Sequence, residues 1–225
     1  SDLSLSTDVF RGITLGPAGG LISGAAGVLT IQAPITGAGV LRLAGANGTI
    51  LTSLASSRTG GTVIGSEFAM AGSISSTTAG ALTIYGDGAL GAVPAAPETA
   101  NVKLGTATAA GTLTISNNDT VIDSKRGIVV GAGGGTLNTG RLVTYGGVLS
   151  GSGNFIKTGT GTLVLAGANT ISGAITSYGG GVVEVASDAN LGAVPATSKG
   201  SAITLAGATT SGRLRVTESF TMAPT

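Results

Sequence analysis

The stretch from Gly151 to Pro195 reads GSGNFIKTGTGTLVLAGANTISGAITSYGGGVVEVASDANLGAVP. Its apolar residues come in short runs such as GTLVL and GVVEV, and glycine, asparagine and serine separate these runs. Apolar or alternating runs of four or five residues are typical of β-strands. Similar runs, GVLTI and GTLTI, begin at Gly27 and Gly111. No part of the sequence shows sustained helical periodicity, so the pattern predicts an all-β fold.

The composition favours a packed protein with a weakly charged surface. The 225 residues include 41 glycines, and 42% of the chain is apolar. Only 9% is charged, against about 25% in a typical domain. The 11 cationic and 10 anionic residues nearly balance, so we expect no basic surface for nucleic acid. No apolar run approaches the length of a transmembrane helix.

The sequence contains a long internal repeat. A shift of 101 residues aligns the segment 87–121 with 188–222 without a gap, and 13 of the 35 positions are identical. The longest shared motif is LGAVP, with an aspartate three residues before its leucine, at Asp87 and Asp188. Two further alignments lie upstream, RGITLGPAGG at Arg11 with RGIVVGAGGG at Arg126, and GVLRLAGAN with GTLVLAGAN.

The offsets of these alignments divide the chain into repeats and smaller units. The offset is 115 residues for the RGI segments, 122 for the AGAN segments and 101 for LGAVP. The fall from 122 to 101 means that copy one carries 21 more residues than copy two between AGAN and LGAVP. We interpret the extra residues as one additional coil of about 20 residues. The chain is then a single continuous domain, 1–225, with copy one at 1–111, copy two at 112–211 and the start of a third copy at 212–225.

Coils of this length with short strands predict a β-solenoid. One coil cannot bury its leucine, isoleucine and valine side chains alone, whereas stacked coils bury a shared core. Parallel crossover connections are right-handed in nearly all proteins, so we expect a right-handed parallel β-helix of about ten coils.

The repeated motifs have a structural interpretation. In LGAVP we expect the leucine to point inward, the next residues to cross a corner, and the proline to end the ladder. We expect Asp87 and Asp188 to cap the turn before it. Asn47 and Asn169, which close the AGAN motifs, are expected at corners.

The segment from Gly151 to Pro195 resembles the passenger-associated strand repeat of bacterial autotransporters. The residues that match the family pattern are Gly151, Gly153, Phe155, Lys157, Gly159, Gly161, Thr162, Leu163, Leu165, Gly167, Asn169 and Thr170. The resemblance implies a secreted β-helix displayed at the bacterial cell surface, outer-membrane anchored if it is part of a longer autotransporter. Copy one lacks the lysine of this pattern.

The residue types exclude several kinds of catalysis. Without histidine and cysteine, thiol catalysis, histidine-based triads and ordinary zinc sites are impossible. The only site candidate is the polar stretch SNNDTVIDSKRG, with Asp119, Asp123, Lys125 and Arg126. It is a cation or sugar site, or a surface loop whose charges pair with each other, and we favour the loop. We expect Lys157 at a solvated strand edge.

These observations favour a non-enzymatic structural β-helix, the stalk or fibre segment of a surface protein, without cofactor or metal. The expected partners are copies of itself, end to end, or further repeats of the same chain. An adhesin passenger that binds surface glycans through its loops, and contributes to adhesion or a biofilm matrix, is the alternative. A carbohydrate-active β-helix enzyme is the third hypothesis.

Overall fold

A computed structural model of the chain describes residues 3–5, 11–24, 27–70, 74–116, 118–207 and 209–223. Within these ranges the chain forms 23 strands and two single 3-10 turns, Asp87–Leu90 and Asp188–Leu191. Neither of these turns is long enough or apolar enough to cross a membrane. The fold is therefore all-β, as the strand runs predicted.

Most strands are short because each forms a single side of a coil, whereas the 11-residue strand Leu41–Leu51 spans two sides. In the first half of the chain they are β1 (Leu3–Leu5), β2 (Ile13–Leu15), β3 (Gly20–Ser23), β4 (Leu29–Ile31), β5 (Ile35–Gly37), β6 (Leu41–Leu51), β7 (Thr62–Ile64), β8 (Ser66–Met70), β9 (Ile74–Thr78), β10 (Gly80–Ile84), β11 (Glu98–Leu104) and β12 (Gly111–Ile115). In the second half they are β13 (Thr120–Ile122), β14 (Arg126–Val130), β15 (Gly135–Thr139), β16 (Val143–Tyr145), β17 (Leu149–Gly151), β18 (Phe155–Thr158), β19 (Thr162–Leu165), β20 (Ile175–Ser177), β21 (Val182–Val185), β22 (Ile203–Thr204) and β23 (Arg213–Val216).

The coils stack into a β-helix with three sides, and parallel ladders of strands run along each side. The first and third sides each carry one ladder, and the second side carries two. The first ladder joins β1, β4, the second half of β6, β10, β12, β15, β18, β20 and β22. The third ladder joins β3, the first half of β6, β7, β11, β14 and β17. Nine strands of the described residues stack in the first ladder, close to the ten coils expected. The parallel β-helix is confirmed, and its right-handedness stays a prediction.

The second side of the helix is divided into two ladders. β2 pairs with β5 at one end, and β13, β16, β19, β21 and β23 form a separate ladder at the other. The first 3-10 turn lies between them, because Ala92 donates its N–H to Arg58 O in the coil below and the turn contacts β13 above. The first LGAVP motif therefore marks a change in the path of the coils.

Inward residues of successive coils form columns. Leu29, Thr49, Leu82, Leu113, Leu137, Lys157 and Ser177 occupy one register position of the first ladder. Leu82 and Leu113 are fully buried, as are most leucine, isoleucine and valine residues on the inner faces. Burial alternates along strands such as β10, β12 and β15, whose residues at every second position form the core.

Equivalent sequences in the two copies lie on different sides of the helix. The first LGAVP motif stacks on the second side through Arg58, whereas Ala193 of the second motif donates to Ile171, which in turn donates to Leu149 of the third ladder. β11 belongs to the third ladder and its equivalent β22 to the first. The repeat unit is not a whole number of coils, so copy two is rotated by one side.

The interpretation of the extra 21 residues as an additional coil is wrong. β8 and β9 form an antiparallel hairpin from Ser66 to Thr78, which leaves the helix between β7 and β10. The rest of the insertion adds one side of a coil. Strand β9 reads ISSTT, a polar stretch that lacks the alternating apolar residues an inner face requires, and this signal was present in the sequence.

The expected roles of the LGAVP and AGAN motifs are mostly confirmed. Leu90 is buried and Leu191 packs against the core. Asn47 lies where β6 turns from the third ladder to the first, and Asn169 follows β19 at a corner. The capping role of the two aspartates is wrong, because among the described residues neither carboxylate accepts an N–H of its own 3-10 turn.

A column of glycines allows three successive coils to approach closely. A Cβ atom on Gly153 would lie 1.7 Å from the carbonyl oxygen of Gly131, and one on Gly173 would lie 1.9 Å from that of Gly153. These distances are far inside van der Waals contact with backbone atoms that the ladders hold in place. The corner therefore has no room for a side chain.

We expect Gly153→Ala to lower the free energy of unfolding by about 1 to 3 kcal/mol or more, because a coil must move to admit the methyl group. Gly140→Ala is the matched control, since its Cβ would meet only Thr160 Oγ1, at 4.0 Å. It should be neutral or stabilise by up to about 1 kcal/mol. Urea denaturation measures both, and equal effects would contradict the glycine column.

Candidate functional site

The four residues of the predicted polar site do not converge on a common ligand position. Asp119 is exposed, and its Oδ1 accepts the N–H of Leu142 at 3.0 Å. Asp123 uses Oδ1 to accept the N–H of Lys125 at 2.8 Å. Both carboxylates therefore bond to backbone groups. Among the described residues, no three acidic side chains are arranged to hold a metal ion.

Arg126 is not in a surface loop, which corrects the sequence interpretation. Its side chain is fully buried at the start of β14, and it pairs with Asp87, 39 residues earlier, at 2.8 Å. The loop interpretation assumed partners nearby in sequence. The stacking of coils instead brings the aspartate of the first LGAVP motif next to the arginine.

All five N–H groups of the Arg126 guanidinium are bonded. Nε and Nη2 donate to the two carboxylate oxygens of Asp87, at 2.8 and 3.0 Å. Nη2 also donates to Gly91 O at 2.7 Å, and Nη1 donates to Ala92 O at 3.2 Å and to Asn101 Oδ1 at 3.0 Å. A buried charge that is paired and fully hydrogen-bonded avoids most of its desolvation penalty. Arg126 therefore fastens the LGAVP loop to the coil above it.

Tyr145 extends this network on the far side of Arg126. Its hydroxyl donates to Arg126 O at 2.7 Å and accepts the N–H of Ile128 at 3.0 Å. Burial raises the pKa of the Tyr145 hydroxyl well above its ordinary value. The hydroxyl therefore stays protonated and links β16 to the backbone of β14, which lies in a different ladder.

A second buried arginine lies below the same loop. Arg58 donates from Nη1 to Ala89 O at 3.0 Å and from Nη2 to Thr62 Oγ1 at 2.7 Å. Burial, and then repulsion by Arg126, lower the pKa of Arg58 to about 10. A Cβ on Gly91 would lie 2.5 Å from Arg58 O, so the loop closes directly over this residue. The first LGAVP motif is thus enclosed between two arginines.

Copy two builds the same corner without arginines. Ile171 takes the position of Arg58, because it receives the N–H of Ala193 just as Arg58 receives that of Ala92. Asn169 takes the position of Ser56, since each accepts the N–H of a residue in the coil below. Asn169 and Asn190 then form a short ladder, in which Asn169 Nδ2 donates to Asn190 O at 2.6 Å.

The expectation for Lys157 is wrong. Lys157 lies in an inner column and is fully buried, with Nζ donating to Thr158 O at 2.7 Å and to Gly159 O at 2.9 Å. Desolvation lowers the pKa of the Lys157 ammonium to about 8. The alternation FIKT placed Lys157 on the same face as Phe155, and this pattern was the signal that the sequence analysis missed.

Comparison with known protein families gives one match. Residues 155–185 match the family model described as passenger-associated-transport-repeat. That match confirms the resemblance to the autotransporter passenger repeat for this segment. The chain matches no curated protein, and it matches no solved structure.

The matched passenger repeat is one and a half coils of the β-helix. It runs from the start of β18 to the end of β21 and contributes two strands to the first ladder and two to the second side. Lys157 is the lysine of this repeat, so its role here is to bond carbonyl groups at a corner. Repeats of this family occur in secreted or surface proteins.

We expect Asp87→Ala to lower the free energy of unfolding by about 3 to 5 kcal/mol, because it leaves the buried Arg126 without its counter-ion. Asp188→Ala is the matched control, since this aspartate begins the same motif but forms no ion pair in the described residues. It should change stability by less than about 0.5 kcal/mol. Chemical denaturation of both variants at low protein concentration tests this, and equal losses would contradict the role of Arg126.

The pKa of Lys157 predicts a stability that depends on pH. From about pH 8 to pH 10 the unfolded lysine binds a proton that the folded one does not, so the free energy of unfolding rises with pH. The contribution is about 2 to 3 kcal/mol over this range. Lys157→Met should remove the rise. Denaturation of both proteins at pH 7.5 and pH 10 measures it, and an identical rise in the variant would refute the assignment.

Proposed function

We propose that this chain is a non-enzymatic structural segment of a secreted, surface-displayed bacterial protein. It serves as a stalk or fibre that holds other parts of the protein away from the cell. Its anchoring in an outer membrane, and its end-to-end association with further copies, belong to this proposal.

One observation carries the proposal: the buried side chains of Arg126, Lys157 and Asn169 bond within the coil stack. Arg126 uses all five donors on groups of its own chain, and Lys157 and Asn169 bond to backbone groups. These three side chains therefore hold neighbouring coils together and direct their polar groups to the stack itself. A catalytic site requires the opposite arrangement, with polar groups directed into a cleft.

The shape of the fold supports a spacer function. Nine stacked strands at about 4.8 Å give the first ladder a length of roughly 40 Å. Each coil contacts mainly its neighbours, so the rod lengthens with each added repeat and keeps its cross-section. The passenger-associated-transport-repeat at 155–185 supports placement of the rod on a cell surface.

The test measures shape and ligand binding on the same sample. Small-angle X-ray scattering should give a rod of constant cross-section, a glycan array should give no binding, and a reducing-sugar assay on polysaccharides should give no product. Asp119→Ala/Asp123→Ala is the control variant, because it removes the only carboxylates that the sequence put forward as a site, and it should change none of the three measurements.

Either of two outcomes would overturn the proposal. Glycan binding that a surface-loop variant abolishes would make the chain an adhesin. Release of reducing ends, lost in Asp119→Ala/Asp123→Ala, would make it a carbohydrate-active enzyme.

A further inference from the structure

The two LGAVP loops have the same backbone conformation. Gly91 has φ 97° and ψ −169°, and Gly192 has φ 100° and ψ −166°. Ala92 and Ala193 each donate to the coil below at 2.9 Å. The carbonyl oxygens that hold the guanidinium in copy one are therefore presented in the same way in copy two.

In copy two this loop holds no arginine among the described residues. Asp188 takes part in neither ion pair of these residues, and its Oδ2 accepts the N–H of Ala223 at 3.3 Å. No described residue donates a hydrogen bond to Gly192 O or Ala193 O. Asp188, Gly192, Ala193 and Met222 line a shallow pocket of about 80 Å³ at this end of the helix.

We propose that Asp188, Gly192 O and Ala193 O form a receptor for an arginine side chain, the Asp188 seat, and that Arg11 of a second copy of this chain fills it. This inference rests on the proposed structural function and names the contact that joins one rod to the next.

Arg11 has the sequence context that the seat requires. It begins RGITLGPAGG, which matches the segment RGIVVGAGGG that begins with the seated Arg126. A Cβ on Gly127 would lie 2.2 Å from Glu98 O, so the residue after the arginine must be glycine, and Gly12 satisfies this condition. Arg11 is exposed and free to enter a carboxylate seat. Arginine presents a planar fork of donors that fits a carboxylate.

Open strand edges lie beside both groups. Within the described residues β22 pairs with β20 alone, and β2 pairs with β5 alone. Where copy one meets copy two, β11 pairs with β14, and Val102 lies opposite Ile128. The repeat offsets convert this pair into Ile203 of one copy opposite Ile13 of the next. The arginine contact and the open strand edges therefore specify the same register, in which β2 of one copy adds to β22 of the other.

The joint requires one segment to give way. Residues 1–11 of one copy align with residues 212–222 of the copy to which it would bind, so the two segments correspond to the same part of the repeat. In the proposed joint, one of these two segments lies against the second 3-10 turn and the other is displaced. Because the two joined surfaces differ, the contact is heterologous and continues into a filament.

The Asp188 seat offers fewer acceptors than its counterpart. Asn101, which bonds Arg126 Nη1, is replaced by Ala202 at the offset of 101. We therefore expect weaker binding than in copy one, with association that depends on protein concentration.

A peptide isolates the arginine from the displaced segment. An acetylated, dye-labelled peptide of residues 11–19 should bind the intact chain in fluorescence anisotropy. Replacement of its arginine by alanine, or Asp188→Ala in the protein, should weaken binding about tenfold or more. Asp119→Ala, a loss of one carboxylate elsewhere, should leave binding unchanged. Equal binding of the alanine peptide would overturn the seat.

Complementation by full chains identifies the second copy as the occupant. In sedimentation velocity the wild-type chain should form longer species as concentration rises, and Arg11→Ala and Asp188→Ala should each remain monomeric. A mixture of the two variants should stop at a 1:1 dimer, because only one functional seat and one functional arginine meet. Peptide binding by a chain that stays monomeric would overturn Arg11 of a second copy as the occupant.

Cysteine pairs check the register in a chain that has no cysteine of its own. Thr14→Cys/Thr204→Cys should form intermolecular disulfides, because adjacent parallel strands lie about 4.8 Å apart. Thr14→Cys/Ser201→Cys is the control, shifted by three residues or about 10 Å, and should not cross-link. Cross-linking of both pairs would refute this register. If these experiments refute the Asp188 seat, the scattering and glycan-array results expected for the proposed function remain unchanged. A failure of the seat can therefore be distinguished from a failure of the proposed function.

Discussion

Every part of this β-helix depends on the spacing of about 4.8 Å that hydrogen-bonded parallel strands impose on successive coils. At that spacing the inner face accepts aligned columns of leucine, isoleucine and valine. The corners accept almost nothing, which is why Gly131, Gly153 and Gly173 follow one another above the same point. Backbone bonding between coils therefore decides which residues the sequence can use at each position.

The same spacing explains the buried charges. Side chains of neighbouring coils meet inside the stack, so an arginine in β14 reaches the carboxylate and carbonyl groups of a loop in the coil below. Arg126 and Arg58 hold a loop that departs from the regular ladder and that apolar packing alone holds less firmly. The charges compensate for the irregularity that the LGAVP motif introduces.

Because copy two is rotated by one side of the helix, the two LGAVP motifs have different neighbouring residues. In copy one Arg58 and Arg126 enclose the motif. In copy two Ile171 lies below it, and no arginine of the described residues lies on the side toward the next coil. One loop conformation forms an internal contact in copy one and, in our proposal, a receptor for an arginine in copy two. Under that proposal the same interaction is used for folding within a chain and for joining between chains.

The sequence by itself determined the strands, the parallel β-helix, the inward leucine of LGAVP and the passenger repeat at 155–185, because these depend on local alternation and on glycine at corners. It also contained the signals for the hairpin at Ser66–Thr78 and for the buried Lys157, which we interpreted wrongly. Only the tertiary structure decided that Arg126 pairs with Asp87 and that the copies lie on different sides. Those features depend on which residues of distant coils lie above one another, and that is set by the summed lengths of all the coils between them.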